Sequence, residues 1–239
     1  MSQPITSAAT SAAPRNPTTT GERLQLVREV CRELHPGSDY CTDQVVQSVA
    51  AVARHETGFG TYAPFARPGF ASHNWGAQQC NHIADKNGAC GAGCFPAKDT
   101  SPRDDGSSVA YQACFIVNPD AHAGALSLTK LLTVSRPGIA AACTTGDLHQ
   151  VAQSMRDARY YEGFGKDQEE RVHNYEVALE RNAKLNATQA GVELVVSVPP
   201  PEPPPEADPN SDGGITLGYG VGFGLFFVAL LRKLTKRSD

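Results

Sequence analysis

The sequence predicts a mainly α domain with a small β lobe, an α+β fold, followed by one C-terminal membrane-spanning helix. Three observations predict it. Apolar residues recur at helical spacing in five segments between residues 22 and 185. A stretch rich in Gly, Pro, Asn and Asp, residues 61–108, interrupts them and carries one hairpin signal. A charge-free apolar run near the end follows a proline-rich segment.

The first helix is expected over residues 22–34, with Leu24, Val27, Val30 and Cys31 on one face, and His35-Pro36-Gly37 stops it. The second opens on Thr42 as N-cap and runs to Glu56. Val45, Val49 and Val52 form its stripe, and Gly58 and Gly60 end it. A hairpin pairs residues 95–98 with 108–116 around Asp105-Gly106. Asn118 caps the third helix, with Pro119 at its first position and Ala125, Leu128, Leu131 and Leu132 inside. A fourth follows Thr145 with Leu148, Val151 and Met155. A fifth covers residues 166–185 with Val172, Tyr175 and Leu179.

The flanks read differently. Residues 1–20 are Ser-, Thr-, Ala- and Pro-rich and cannot bury enough surface to offset chain entropy, so disorder is expected. They also lack the basic start and apolar stretch of a secretory signal. Residues 21–191 hold all seven cysteines and enough chain for a single core. Residues 192–214 form a linker whose PPPEPPPEADP favours polyproline II, a semi-rigid spacer at about 3.1 Å per residue. The uncharged run from Ile215 to Leu231 gives a helix of about 25 Å, at the short limit for a lipid bilayer. A buried core helix is the competing reading. Gly218/Gly222 and Gly220/Gly224 allow close self-association of this helix. Residues 232–239 are a basic tail that stays on the cytoplasmic side, leaving the folded domain across the membrane.

The net charge is −4, and the folded part carries no basic block, which excludes the electrostatic footprint of a nucleic-acid binder. Seven cysteines point to disulfides and an oxidising compartment, with one thiol left over. Cys31 and Cys41 flank the turn between the first two helices and could staple it. Cys80, His82, Cys90 and Cys94 offer thiolate and imidazole to zinc, but the spacing lacks a C-x2-C knuckle. Disulfide staples of that loop are favoured, and no metal or cofactor is expected. Cys114 and Cys143 suit buried thiols equally well.

One segment carries chemistry. In Arg54-His55-Glu56-Thr57-Gly58-Phe59-Gly60 a glutamate ends an apolar helix. There it feels the negative end of the helix dipole, and apolar neighbours such as Phe59 desolvate it. Both effects favour the neutral acid, which can protonate a glycosidic oxygen. Asn74-Trp75-Gly76 follows in a loop. Trp75, the sole tryptophan, could stack on a sugar face while Asn74 bonds its hydroxyl or acetamide groups. Alternatively, Trp75 anchors the loop to the core.

The motifs HETGFG and HNWG resemble the lysozyme-like peptidoglycan hydrolases, and most closely the glucosaminidases of glycoside hydrolase family 73. The resemblance covers about residues 24–185. It implies a lysozyme-like fold acting on peptidoglycan glycan strands between N-acetylglucosamine and N-acetylmuramic acid. Glu56 matches the general acid, and Asp99 falls where the second carboxylate sits, with Asp104 and Asp105 as competitors. Phe59 and the Tyr160-Tyr161 pair would line the groove. Tyr161 could stabilise positive charge or hold the acetamide group. His73 stands where the family's loop has asparagine, and no arginine follows Phe115. Lytic transglycosylation with Glu56 alone, or glycan binding without catalysis, are the alternatives; a metal-dependent endopeptidase lacks its His pair. The expected setting is a bacterial cell membrane or a phage virion membrane, with the domain facing the wall.

Overall fold

A computed structural model describes residues 16–80, 93–102, 107–161 and 163–196. The described part is mainly helical with two small antiparallel sheets. The order is α1 (Thr20–Leu34), α2 (Asp43–Thr57), β1 (Ala66–Arg67), β2 (Phe70–Ala71), β3 (Cys94–Pro102) and β4 (Ser108–Ile116). Then come α3 (Ala121–Thr133), α4 (Pro137–Thr145), α5 (Leu148–Asp157) and α6 (Gln168–Ala190).

Helix α2 is the hub, packing against α1, α3, α4 and α6. Its sequence explains why. From Val45 to Arg54 every residue is buried, and most are Val or Ala. A helix that is apolar all round must be surrounded, and small side chains let its neighbours approach closely. Thr42 caps it as expected, its hydroxyl accepting from the Val45 N–H. The core continues through Leu128, Leu132, Leu148, Met155 and Leu179 of the surrounding helices.

Both ends of the folded part extend beyond the compositional bounds. Thr19 and Glu22 form a reciprocal capping box on α1, so residues 18–20 join the fold instead of belonging to a disordered tail. At the other end, Gln47 Nε2 donates to the Glu193 carbonyl at 2.6 Å, and the Val195 N–H donates to Gln47 Oε1 at 3.0 Å. Val196 is buried, so the linker begins later than residue 192.

Other departures have local causes. α3 starts at Ala121, because Asp120 supplies the cap to the Ala123 N–H while Asn118 Nδ2 donates to the His73 carbonyl. α4 was not expected; Pro137 starts it, and burial of Ile139 and Cys143 holds it. α6 runs further than expected, to Ala190, and ends on left-handed Gly191. Disulfides join Cys31 to Cys41 and Cys94 to Cys114, while Cys143 is a buried free thiol. Cys80 is also disulfide-bonded. The zinc set therefore loses both Cys80 and Cys94; its other two members, His82 and Cys90, lie outside the described residues.

The β3–β4 hairpin alternates with period two. Phe95, Ala97 and Asp99 turn inward with Tyr111, Ala113 and Phe115 opposite them. Phe65 packs edge-on against Phe95 and Phe115 to form a second small core. The Asp105-Gly106 turn and the competitors Asp104 and Asp105 lie outside the described residues, as does the run from Ile215 to Leu231. Among the described residues no helix is long and apolar enough to cross a membrane.

Arg54 ties three helices together from inside. Its Nε donates to Asn186 Oδ1 at 2.5 Å, and its Nη2 donates to Thr20 Oγ1 at 2.9 Å and Gln189 Oε1 at 2.6 Å. Arg54→Ala leaves the buried Asn186 Oδ1 without its donor, while Gln189 Oε1 keeps the Thr20 hydroxyl, so urea denaturation should show a loss of about 2 kcal/mol. Arg54→Lys should recover only part of it, since an ammonium cannot present the same fork of donors.

Candidate active site

The last turn of α2 sets the site. Gly58 takes the left-handed cap conformation, and its N–H returns to the Ala53 and Arg54 carbonyls. A Cβ at Gly58 would lie 2.4 Å from the Tyr62 ring and would have to displace it, and the positive φ strains any other residue there. The turn leaves Glu56 half-buried, opening on a cleft of about 1210 Å³. α2, the hairpin, α3 and the connection into α6 all contribute to its walls.

The Glu56 carboxyl is pushed up to about 7. Burial is the largest cause, and the charge of Asp99 adds to it; the hydrogen bond from Tyr175 opposes both. Tyr175 projects from α6, and its phenol donates to Glu56 Oε1. Burial and the neighbouring Glu56 raise the Tyr175 phenol well above its usual value, so it remains a donor at any working pH. With Oε1 occupied by that donor, the acid proton of Glu56 belongs on Oε2.

An aromatic stack fixes Tyr175. The Tyr161 ring lies parallel to it at 3.8 Å, and His55 meets it edge-on at 4.7 Å. Burial and the charge of Arg181 push His55 down to about 4. It is therefore neutral at pH 7, and the residue next to Glu56 supplies no cation to favour the carboxylate.

Asp99 reaches the same cleft from β3. Gln79 Nε2 and the Tyr111 hydroxyl donate to its Oδ2 at 2.6 and 3.0 Å, and the Thr100 N–H donates to Oδ1 at 2.8 Å. The site thus holds one carboxyl that favours its proton and a second carboxyl held by three donors.

The expected sugar-binding loop is structural instead. Trp75 is 1% exposed and packs edge-on against Phe59 at 5.1 Å, inside the main core. Among the described residues its indole N–H has no hydrogen-bond partner. Phe59 is 4% exposed and also belongs to the core, despite a positive φ of 61°. Asn74 is fully buried; its Nδ2 donates to the Gln78 and Ile116 carbonyls, and its Oδ1 accepts from the Gln78 N–H. These three residues anchor the loop and do not face the cleft. The loop delivers Gln78 and Gln79 to the cleft. It also delivers Gly76, where a Cβ would meet the Tyr160 hydroxyl at 2.8 Å.

Tyr160 and Tyr161 do line the cleft, but both phenols are engaged. Tyr160 donates to the Gly76 carbonyl at 2.8 Å, and Tyr161 donates to the Ala152 carbonyl at 3.1 Å. Tyr161 therefore buttresses Tyr175 with its ring face. Tyr175 read as a member of a helix's apolar stripe and, beside Tyr160 and Tyr161, as a tyrosine the resemblance offers for the groove. Gln79, Tyr111 and Phe164 line the cleft and escaped the sequence reading of the site. Phe164 is 71% exposed and lines the cleft, with its carbonyl held by Asn174 Nδ2 at 2.8 Å. An aromatic between two glycines directly after a tyrosine pair was the signal available for it.

No protein-family model matches the chain, and no curated protein matches it. Solved structures do. The chain is similar to a C-terminally truncated glycoside hydrolase domain from Salmonella typhimurium FlgJ, at 21% identity over 71% of this chain and 96% of that one, with a TM-score of 0.43. It is also similar to the catalytic domain of the autolysin Auto from Listeria monocytogenes, at 14% identity over 79% and 99%, with a TM-score of 0.45. These neighbours are of the class that the motifs resemble. At such scores the roles of Glu56 and its neighbours rest on the side chains alone.

A carboxyl held at about 7 when folded, against an ordinary 4.5, binds its proton more tightly in the native state. Native stability should therefore fall as pH rises from about 4.5 to about 7, and stay level above that. Glu56→Gln removes the effect. At pH 8 the variant should be more stable than the parent by about 1 to 3 kcal/mol, with no difference at pH 4. Urea denaturation at the two pH values checks this.

Proposed function

We propose that the chain is a glycosidase that cleaves the glycan strand of peptidoglycan between N-acetylglucosamine and N-acetylmuramic acid, with Glu56 as general acid. One observation carries the reading: a half-buried carboxyl, paired with no cation among the described residues and favouring its proton near neutral pH, opens on a cleft of about 1210 Å³. Protonating a glycosidic oxygen as an oxocarbenium-like centre develops needs such a group. Oε2 of Glu56 presents the proton while the Tyr175 phenol steadies Oε1 and the carboxylate that remains after transfer. Asp99 then activates water, with Gln79 and Tyr111 orienting it. Phe164 offers the exposed aromatic face that the sequence assigned to Trp75, a surface suited to the apolar side of a sugar ring.

One observation favours a second route. Three donors already occupy the Asp99 oxygens, which leaves fewer free lone pairs to hold an attacking water. Lytic transglycosylation would use Glu56 alone, as acid and then as base, while the sugar's own hydroxyl attacks. Mass analysis of the products separates the two, because the transglycosylase product lacks the added water.

The charge-free run from Ile215 to Leu231 would anchor the enzyme in a bilayer with the domain on the wall-facing side, and its glycine pairs would allow self-association. The setting is a bacterial membrane or a phage virion membrane.

Glu56→Gln should lower the lysis rate of purified peptidoglycan by about 10³-fold with the fold retained by circular dichroism. A variant that lyses as fast as the parent would overturn the assignment. The reactive form is protonated Glu56, so kcat/KM should fall as pH rises through about 7. Tyr175→Phe removes a donor that favours the carboxylate, so the alkaline limb should move to higher pH.

A further inference from the structure

Three exposed cations line the cleft away from the hairpin. Lys130 stands in the last turn of α3, Arg136 at the N-cap of α4, and Arg159 in the turn after α5. Among the described residues none of the three makes an ion pair or a side-chain hydrogen bond. Asp157 shares a small adjacent recess with Arg136, yet it accepts from Gln153. The chain as a whole carries 25 acidic residues against 21 Lys and Arg, so cations without partners are not forced by composition.

The backbone holds these cations in place. The Val134 and Ser135 N–H groups both return to the Lys130 carbonyl, which sets the tight exit from α3 toward Arg136. Arg159 has a φ of 54°, a conformation that costs energy for any residue with a Cβ. Its N–H returns to the Arg156 carbonyl. The following Tyr160 is pinned twice, by its N–H to the Met155 carbonyl and its phenol to the Gly76 carbonyl.

We infer that Lys130, Arg136 and Arg159 are specificity-determining residues that bind carboxylates carried by the glycan strand. The inference rests on the glycosidase reading of the cleft. An ammonium and two guanidinium groups on one wall of the same cleft add their fields and raise the local concentration of carboxylates there. The carboxylates have two sources in a peptidoglycan strand: those of a peptide joined by an amide to the lactyl group, or the lactyl carboxylate itself where no peptide is attached.

Binding tests this without relying on turnover. Full-length Glu56→Gln protein is titrated at low salt with peptide-bearing glycan fragments and with a neutral N-acetylglucosamine oligomer of equal length. The anionic fragment should bind about tenfold more tightly, and the preference should collapse at high salt. Adding Lys130→Gln, Arg136→Gln and Arg159→Gln together should bring the two affinities within about twofold. Removing the peptide frees the lactyl carboxylate from its amide, so stripped fragments locate the contact: a preference retained says that the wall accepts a carboxylate at the sugar ring, and one lost assigns the contact to the peptide's own carboxylates. Equal affinities in the starting protein, or a preference that survives the triple substitution, would overturn the inference. Glu56→Gln protein that still cleaves would instead defeat the catalytic reading and leave the binding result standing.

Discussion

The close approach of α2 and α6 is the constraint on which the site depends. Arg54, two residues before Glu56, is bonded to Asn186 and Gln189 of α6. Tyr175 lies about three turns earlier on that same helix. A rigid helix that is pinned at Asn186 delivers the Tyr175 phenol to Glu56 with little freedom left. The acceptors around Arg54 are amides and a hydroxyl, so this join is set by directional bonds and not by charge pairing. The chemistry of Glu56 is thus fixed by an interaction behind it, on the side away from the cleft.

The proton affinity of Glu56 is a balance between opposing effects. Burial and the Asp99 charge hold the proton on, and the Tyr175 bond draws it off. Because the carboxyl is only half-buried, the cleft supplies the remaining solvent. In the proposed function, a glycan that fills the cleft would displace that water and shift the balance further toward the neutral acid. The neutrality of His55 serves the same end, since a charged imidazole at that position would pull the other way.

The helices and the place of Glu56 at the end of α2 were legible because their signals are local. Thr42 and Gly58 bracket α2 through bonds made within a few residues, and Glu56 inherits its place from them. Residues with two equally good destinations were not legible. An indole suits a sugar groove and a protein core alike; Trp75 goes inside because Phe59 packs against it there. The Asn74 amide suits a ligand or a backbone, and its second partner, Ile116, lies at the far end of β4. α4 carries little periodicity of its own and forms because Ile139 and Cys143 find cover in the core. Tyr175 shows the same limit: spacing told which face of α6 it occupies, but not that its hydroxyl would meet Glu56. The flanks were misjudged in extent because composition does not reveal a capping box or a single Gln47 side chain that captures the backbone at 193–195.

The hairpin deserves to be thought of as a lever. Cys94 and Cys114 clamp its base, where β3 leaves the rest of the chain, and Asp99 rides five residues further along the same strand. At the rise of an extended strand, that is an arm of about 17 Å. A tilt of about 10° about the clamp would carry Asp99 roughly 3 Å, comparable to the difference in carboxylate spacing that separates retention from inversion at the anomeric carbon. Under the proposed glycosidase reading, such a rotation would change the spacing of the two carboxyls without moving Glu56, at the cost of the bond that Gln79 makes to Asp99 from outside the hairpin.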